Sequence, residues 1–235
     1  MTGANRRARW LPTVYLMLVF VYLMFPLLVV VPLSFGNEDL LRFPPRALSL
    51  RWYEAYFGDP QWMRATALSF QVAVAASFLT TMTGTLSAIA LERRKVPAAG
   101  FVRVLITAPM IVPHIFLAVG VFVLAVRFGG AGNLLTLICA HATIALPFTM
   151  LMVGAALRQI DPTLERAARV LGASPLQAFL TATLPGLLPA IVAASIFSFF
   201  VSFDELIIAV TVLALGAAEW LRRRAETQNQ PISAT

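Results

Sequence analysis

From Trp10 to Gly36 no side chain carries a charge, and the same holds from Ala65 to Leu91, Val104 to Val126, Phe128 to Leu157 and Gly186 to Phe203. A helix crosses the hydrocarbon core of a bilayer with ~20 mostly apolar residues. In that solvent a helix is one of the few structures that satisfies its own backbone polar groups. Five runs therefore read as clear membrane spans, and a sixth, Leu206 to Ala218, reads as a shortened one. With 59% hydrophobic and only 12% charged residues among 235, the chain is too apolar for an ordinary soluble domain. The expected fold is all-α, a single multi-pass transmembrane domain over residues 1–235 in contact with the lipid bilayer.

The formal net charge of +7 does not point to nucleic acid, because the basic residues form small clusters beside the apolar runs. Such clusters set membrane orientation. Arg6, Arg7 and Arg9 precede the first run and put the N-terminus in the cytoplasm. Arg93, Arg94, Lys95 and Arg103, with only Glu92 against them, follow the second run. Arg158, Arg166 and Arg169 follow the fourth, so alternate loops are basic and cytoplasmic. The loop from Asn37 to Arg64 then lies outside, where Trp52, Tyr53, Tyr56 and Trp62 suit a partly helical interfacial segment. The first run is too long for a secretory h-region and is expected to be retained.

The end of the chain admits two readings. From Gly186 to Ala218 only Asp204 and Glu205 interrupt the apolar sequence. One continuous helix would be about 50 Å long at 1.5 Å per residue and would leave Arg222, Arg223 and Arg224 outside. Two segments broken at Asp204-Glu205 are short, yet return those arginines to the cytoplasm. The two-segment reading is preferred, with residues 222–235 as a cytoplasmic or disordered tail.

Between the fourth and fifth runs lies a segment built for capping. Asp161-Pro162 starts a helix, Gly172 can stop it in the left-handed conformation, and Ser174-Pro175-Leu176-Gln177 starts another with a capping box. The expectation is two short helices separated by a tight turn. Ala167, Val170 and Leu171 give the first an apolar stripe, with Arg166 and Arg169 on its polar side. That stripe is small and lacks the aromatic anchors of a lipid-surface helix, so docking into a groove of a cytoplasmic partner fits better.

This segment resembles the EAA loop of the membrane subunits of bacterial ATP-binding-cassette importers, whose pattern is Glu-Ala-Ala, three residues, Gly, nine residues, Ile, one residue, Leu-Pro. Ala167, Ala168, Gly172, Leu184 and Pro185 fall in register; Arg166 stands at the Glu position, with Glu165 one residue early, and Ala182 stands at the Ile position. Ser202-Phe203-Asp204-Glu205, the spacing of Pro109 and Pro113, and His141 followed by Leu146-Pro147-Phe148 resemble the spermidine/putrescine permease subgroup. The resemblance implies a type I importer permease fold in the bacterial inner membrane. It further implies a coupling loop over 158–185, including Glu165, Arg166 and Ser174, that docks on ABC ATPase subunits. A second permease subunit and an extracytoplasmic substrate-binding protein complete the implied assembly. Against the family pattern, roughly thirty residues, about one span with its loop, are missing between Val210 and Trp220. A non-transporting membrane protein that keeps the docking loop is therefore the alternative.

Asp204 and Glu205 are candidate pathway residues, because carboxylates at membrane depth face a cavity or a partner; the other reading makes them the solvated outer end of the fifth run. His141 is a further pathway candidate, against an interhelical hydrogen-bonded role that suits a lone His in an apolar run, as it does His114. Pro109, Pro113 and Pro147 free backbone carbonyls inside spans, serving as hinges or as packing kinks. Thr80 to Gly84 suits close helix contact. No catalytic constellation or metal-ligand spacing is present, no cofactor is implied, and there is no Gly-x-x-x-x-Gly-Lys-Ser/Thr loop. ATP hydrolysis is thus assigned to another polypeptide.

Overall fold

The computed structural model describes residues 4–40, 42–93, 96–130 and 132–228. Arg94 and Lys95 of the basic loop, Ala131 of the glycine turn and the tail residues 229–235 lie outside them. Helix dominates the described residues: α1 (Ala4–Ser34), α2 (Arg51–Gly58), α3 (Pro60–Arg93), α4 (Ala99–Thr107), α5 (His114–Arg127), α6 (Leu134–Gln159), α7 (Thr163–Val170), α8 (Pro175–Ala178), α9 (Leu184–Phe203) and α10 (Leu206–Gln228). By contact the chain divides into two units, Met1–Thr66 and Ala67–Thr235.

In the first unit α1 carries an apolar stretch, Pro12–Ser34, with none of its most apolar window buried. The loop after it is partly helical, as expected. The Tyr53 ring of α2 packs at a tilt on Phe35, centroids 5.4 Å apart, and its hydroxyl donates to the Ser34 hydroxyl at 2.8 Å. Arg51 pairs with Asp39 and lies 4.5 Å over the Trp52 ring, an arrangement that favours a cation.

In the second unit α6 is the central helix. Its Leu137, Ala140 and Ile144 pack with Val72 of α3, Ala118 of α5, and Ile208 and Val212 of α10. Nearly two turns further on, Met150, Val153 and Leu157 pack with Ala88 of α3 and with Leu187 and Ala194 of α9. Small residues permit these approaches. A Cβ on Gly84 would come within 2.7 Å of Thr149 Cγ2, so α3 crosses α6 at a distance that only glycine allows. Thr80 donates to the Ala142 carbonyl at 3.2 Å in the same crossing, consistent with a packing role for the Thr80 to Gly84 stretch.

Two expectations change. The Val104 to Val126 run is not one straight span: Ala99–Met110 and His114–Arg127 meet at 106°. Pro109 and Pro113 cannot donate to a helical ladder, and Pro113 disfavours helical backbone in the residue before it. Among the described residues four helices are long and apolar enough to cross a membrane on their own, and up to five if the bent pair is one span. The second correction concerns the segment after Ser174, which is not a separate short helix. α8 continues through a π turn, Phe179–Thr183, directly into α9. Pro185 has no N–H for the carbonyl four residues back, and Leu184 N–H bonds instead to Phe179 O, five residues back, the register of a π turn. The break at Asp204-Glu205 is where the two-segment reading put it. The apolar part of α10, Leu206–Ala218, is shorter than a span, and the helix runs on to Gln228, through the first part of the expected tail.

Candidate functional site

Three polar arrangements stand out in the second unit, at the α7 segment, at the α9–α10 break and at the end of α3. Asp161 Oδ1 accepts from Thr163 N–H at 2.8 Å. That bond and the Thr163 hydroxyl hold the Asp161 carboxyl below its usual range. Gly172 has φ +96°; its N–H bonds to Arg169 O at 3.1 Å, and Ala173 N–H bonds to Ala168 O at 3.0 Å. This pair of bonds is the Schellman closure, which needs a left-handed residue at this point. Ser174 and Gln177 then form the reciprocal capping box.

Within α7 the two sides do different things. Glu165 turns inward, accepting from the Thr183 hydroxyl and lying 3.9 Å from Arg93 of α3. Val170 and Leu171 are 87% and 88% exposed, and Arg166 is exposed beside them. Ala167, Ser174 and Pro185 are exposed, while Ala168 and Leu184 are half-buried. The segment is thus fastened at its root and bare at its tip.

The second arrangement surrounds a cavity of about 530 Å³ lined by His114, Ile144, Phe148, Phe200, Val201, Phe203, Asp204 and Glu205. Glu205 caps α10, its Oε1 accepting from Ile208 N–H at 3.1 Å. Its Oε2 lies 2.8 Å from His114 Nδ1. The bend at Pro113 makes this possible, since it places His114 at the first turn of α5. Asp204 is exposed on the cavity wall. His141 is not among the lining residues. It is buried behind them, its Nδ1 2.9 Å from Ser202 Oγ and 3.0 Å from Ser202 O. Below it Thr149 meets Ser198 at 2.7 Å and Ser77 donates to Ser195 O at 2.7 Å. One face of α9 is thereby tied to α3 and α6 by hydroxyls.

The third arrangement joins residues that are far apart in the sequence. Glu92, the one acid in a basic cluster, accepts from Arg103 of α4 at 3.0 Å and from Arg158 of α6 at 2.6 Å. A lone carboxylate among arginines was the available signal. For His114 the sequence suggests an interhelical hydrogen bond; the position just after a proline break is the signal for its place on the cavity wall beside Glu205.

Residues 80–232 match the family described as the binding-protein-dependent transport system inner membrane component. The chain belongs to that family. It is a multi-pass inner-membrane permease subunit, a transport component. It is 33% identical over 212 residues to the putrescine transport system permease protein PotI of Escherichia coli K12, covering 87% of this chain and 75% of that protein. It is 30% identical over 199 residues to the spermidine/putrescine transport system permease protein PotC of Haemophilus influenzae, covering 85% and 77%. A trehalose transport system permease protein, SugB of Mycobacterium tuberculosis, is 28% identical over 222 residues, covering 92% and 79%. Family membership is thus common to relatives named for polyamines and for a sugar.

Proposed function

We propose that this permease carries a small cationic solute of the polyamine class across the inner membrane, within an importer powered by separate ATPase subunits. Its partners in that reading are the ATPases, a second permease subunit and an extracytoplasmic binding protein, and its N-terminus is cytoplasmic. The observation that carries the substrate class is the cavity at the α9–α10 break. Asp204 and Glu205 stand there with Phe148, Phe200 and Phe203, and carboxylates with aromatic faces attract an ammonium group. The polyamine names of PotI and PotC support the same class.

The α7 segment is the coupling helix in this reading. Val170 and Leu171 offer an apolar tip for an ATPase groove, while Glu165 and the flanking caps hold that tip rigid. Nucleotide-driven movement of the ATPases shifts the spans because each partner binds the inward-facing and outward-facing states unequally. The test is uptake of labelled putrescine by proteoliposomes holding the full assembly. Uptake by the parent and its loss in Glu205→Gln support the reading; equal uptake by both removes Glu205 from the pathway.

One observation favours a second reading. The apolar part of α10 is shorter than a span, as in a subunit that docks ATPases without completing a pathway. Retention of ATPase subunits without uptake of any solute offered by the binding protein would select it.

A further inference from the structure

The cytoplasmic end of α3 carries two adjacent residues of opposite charge, Glu92 and Arg93. Neighbouring residues of a helix point ~100° apart, and these two reach different parts of the molecule. Glu92 binds Arg103 of α4 and Arg158 of α6 at 3.0 and 2.6 Å. Arg93 lies 3.9 Å from Glu165 of α7 and donates to Ile160 O at 3.5 Å, in the link between α6 and α7. Arg93 and Glu165 are only 19% and 26% exposed, so their contact is less screened than a surface ion pair; Glu92, 15% exposed, pairs with the more open Arg103 and Arg158.

The two arms differ. The Glu92 arm is short and doubly paired, which makes one body of the lower ends of α3, α4 and α6. The Arg93 arm is long, and Arg93 Nε is buried without a hydrogen-bond partner, so this arm has an unused donor with which to re-form elsewhere. Glu165 also takes the Thr183 hydroxyl in the π turn below α9. A shift of α7 is therefore felt by α3 and by α9, and through Glu92 by α4. α4 leads into the bent pair whose second helix begins at His114, beside Glu205.

We infer that Glu92 and Arg93 are positioning residues for energy coupling. Glu92 clamps α3, α4 and α6 together, and the Arg93–Glu165 contact transmits motion of α7 to that clamp and so to the cavity at Glu205. The inference rests on the coupling-helix reading of α7. Such a route is read out as a coupling between the two sites.

The test uses the full assembly with the ATPase subunits. Asp204→Cys in a Cys139→Ala chain reports the cavity through its rate of labelling by a water-soluble maleimide, with and without ATP and vanadate. This readout needs no transported solute. In the parent the two rates differ by about tenfold or more, within the usual range of coupling between sites. Arg93→Glu and the isosteric Glu92→Gln retain the ATPase subunits, but the ratio of the two rates falls at least about fivefold toward unity, the low end of typical coupling between sites. Combining Arg93→Glu with Glu165→Arg restores it. A ratio unchanged in both single variants, or loss of ATPase subunits from Arg93→Glu while Glu92→Gln keeps its ratio, overturns the relay alone. No retention of ATPase subunits by the parent overturns the docking reading and the relay with it.

Discussion

The α7 segment and the α9–α10 break are both short interruptions between helices, yet they are held in opposite ways. Around α7 the caps are local: Asp161 with Thr163, Gly172 with Arg169, Ser174 with Gln177. At the break the backbone closes locally, Asp204 N–H on Phe200 O and Glu205 N–H on Ser202 O, and Glu205 caps Ile208, but the side chains there also reach outward. The other partners come from distant elements, His114 from α5 for Glu205 and His141 from α6 for Ser202. The difference matches the two roles proposed for them. A locally closed segment keeps its shape while the helices around it move, which suits a handle. A break closed by other helices changes when they move, which suits a gate.

The largest expected effect breaks the handle. Gly172→Pro forces φ near −65° where the backbone needs +96° and removes the N–H bonded to Arg169, a cost of ~3 kcal/mol or more. ATPase retention and uptake should both be lost, while the protein still inserts in the membrane; if both survive, α7 is not the coupling helix. The next breaks the gate. His114→Leu leaves a largely buried Glu205 carboxylate without its α5 partner, costing ~1–3 kcal/mol. Thermal unfolding of the detergent-purified permease should start earlier and uptake should fall, with ATPase retention intact.

Smaller changes sharpen the contrast. Ser174→Ala removes one cap, and about 1 kcal/mol is expected from such a loss. Amide exchange should then quicken around Pro175–Ala178 and leave Leu206–Gln228 as it was. The smallest effect concerns pH. Hydrogen bonds from Thr163 lower the Asp161 pKa from 3.8. Its contribution to the α7 start is therefore fully present above that value and is lost as pH falls through the lower folded-state value. Asp161→Asn should remove this part of the acid dependence of α7 exchange and leave exchange near Glu205 unaltered.

Legibility in the sequence followed the same division. The caps at Asp161, Gly172 and Ser174 are readable because each partner lies within a few residues, and the charges of Asp204-Glu205 mark a helix break by themselves. The 106° bend is not readable, although Pro109 and Pro113 flag its place. Its angle depends on how α5 packs on α10 through Ala118, Ile208 and Val212. From sequence Glu92 reads as a counter-charge in a basic loop, since its partner Arg158 is 66 residues away. For His141 the sequence offers both a pathway role and an interhelical hydrogen bond, and the bond to Ser202 of α9 is the second of these. Proline at position 185 and a hydroxyl at Thr183 carried the signal for the π turn, but only the joined helix reveals that α8 and α9 are one element.

The most direct measurement is retention of the ATPase subunits on the affinity-purified permease assembly, comparing the parent with Val170→Asp/Leu171→Asp. Both side chains lie outside the packed core, so membrane insertion and thermal stability should match the parent. Retention should fall at least about tenfold, as expected when apolar anchors of an interface are replaced by charge. Retention equal to the parent would contradict the assignment of the α7 tip as the surface that the ATPase grips.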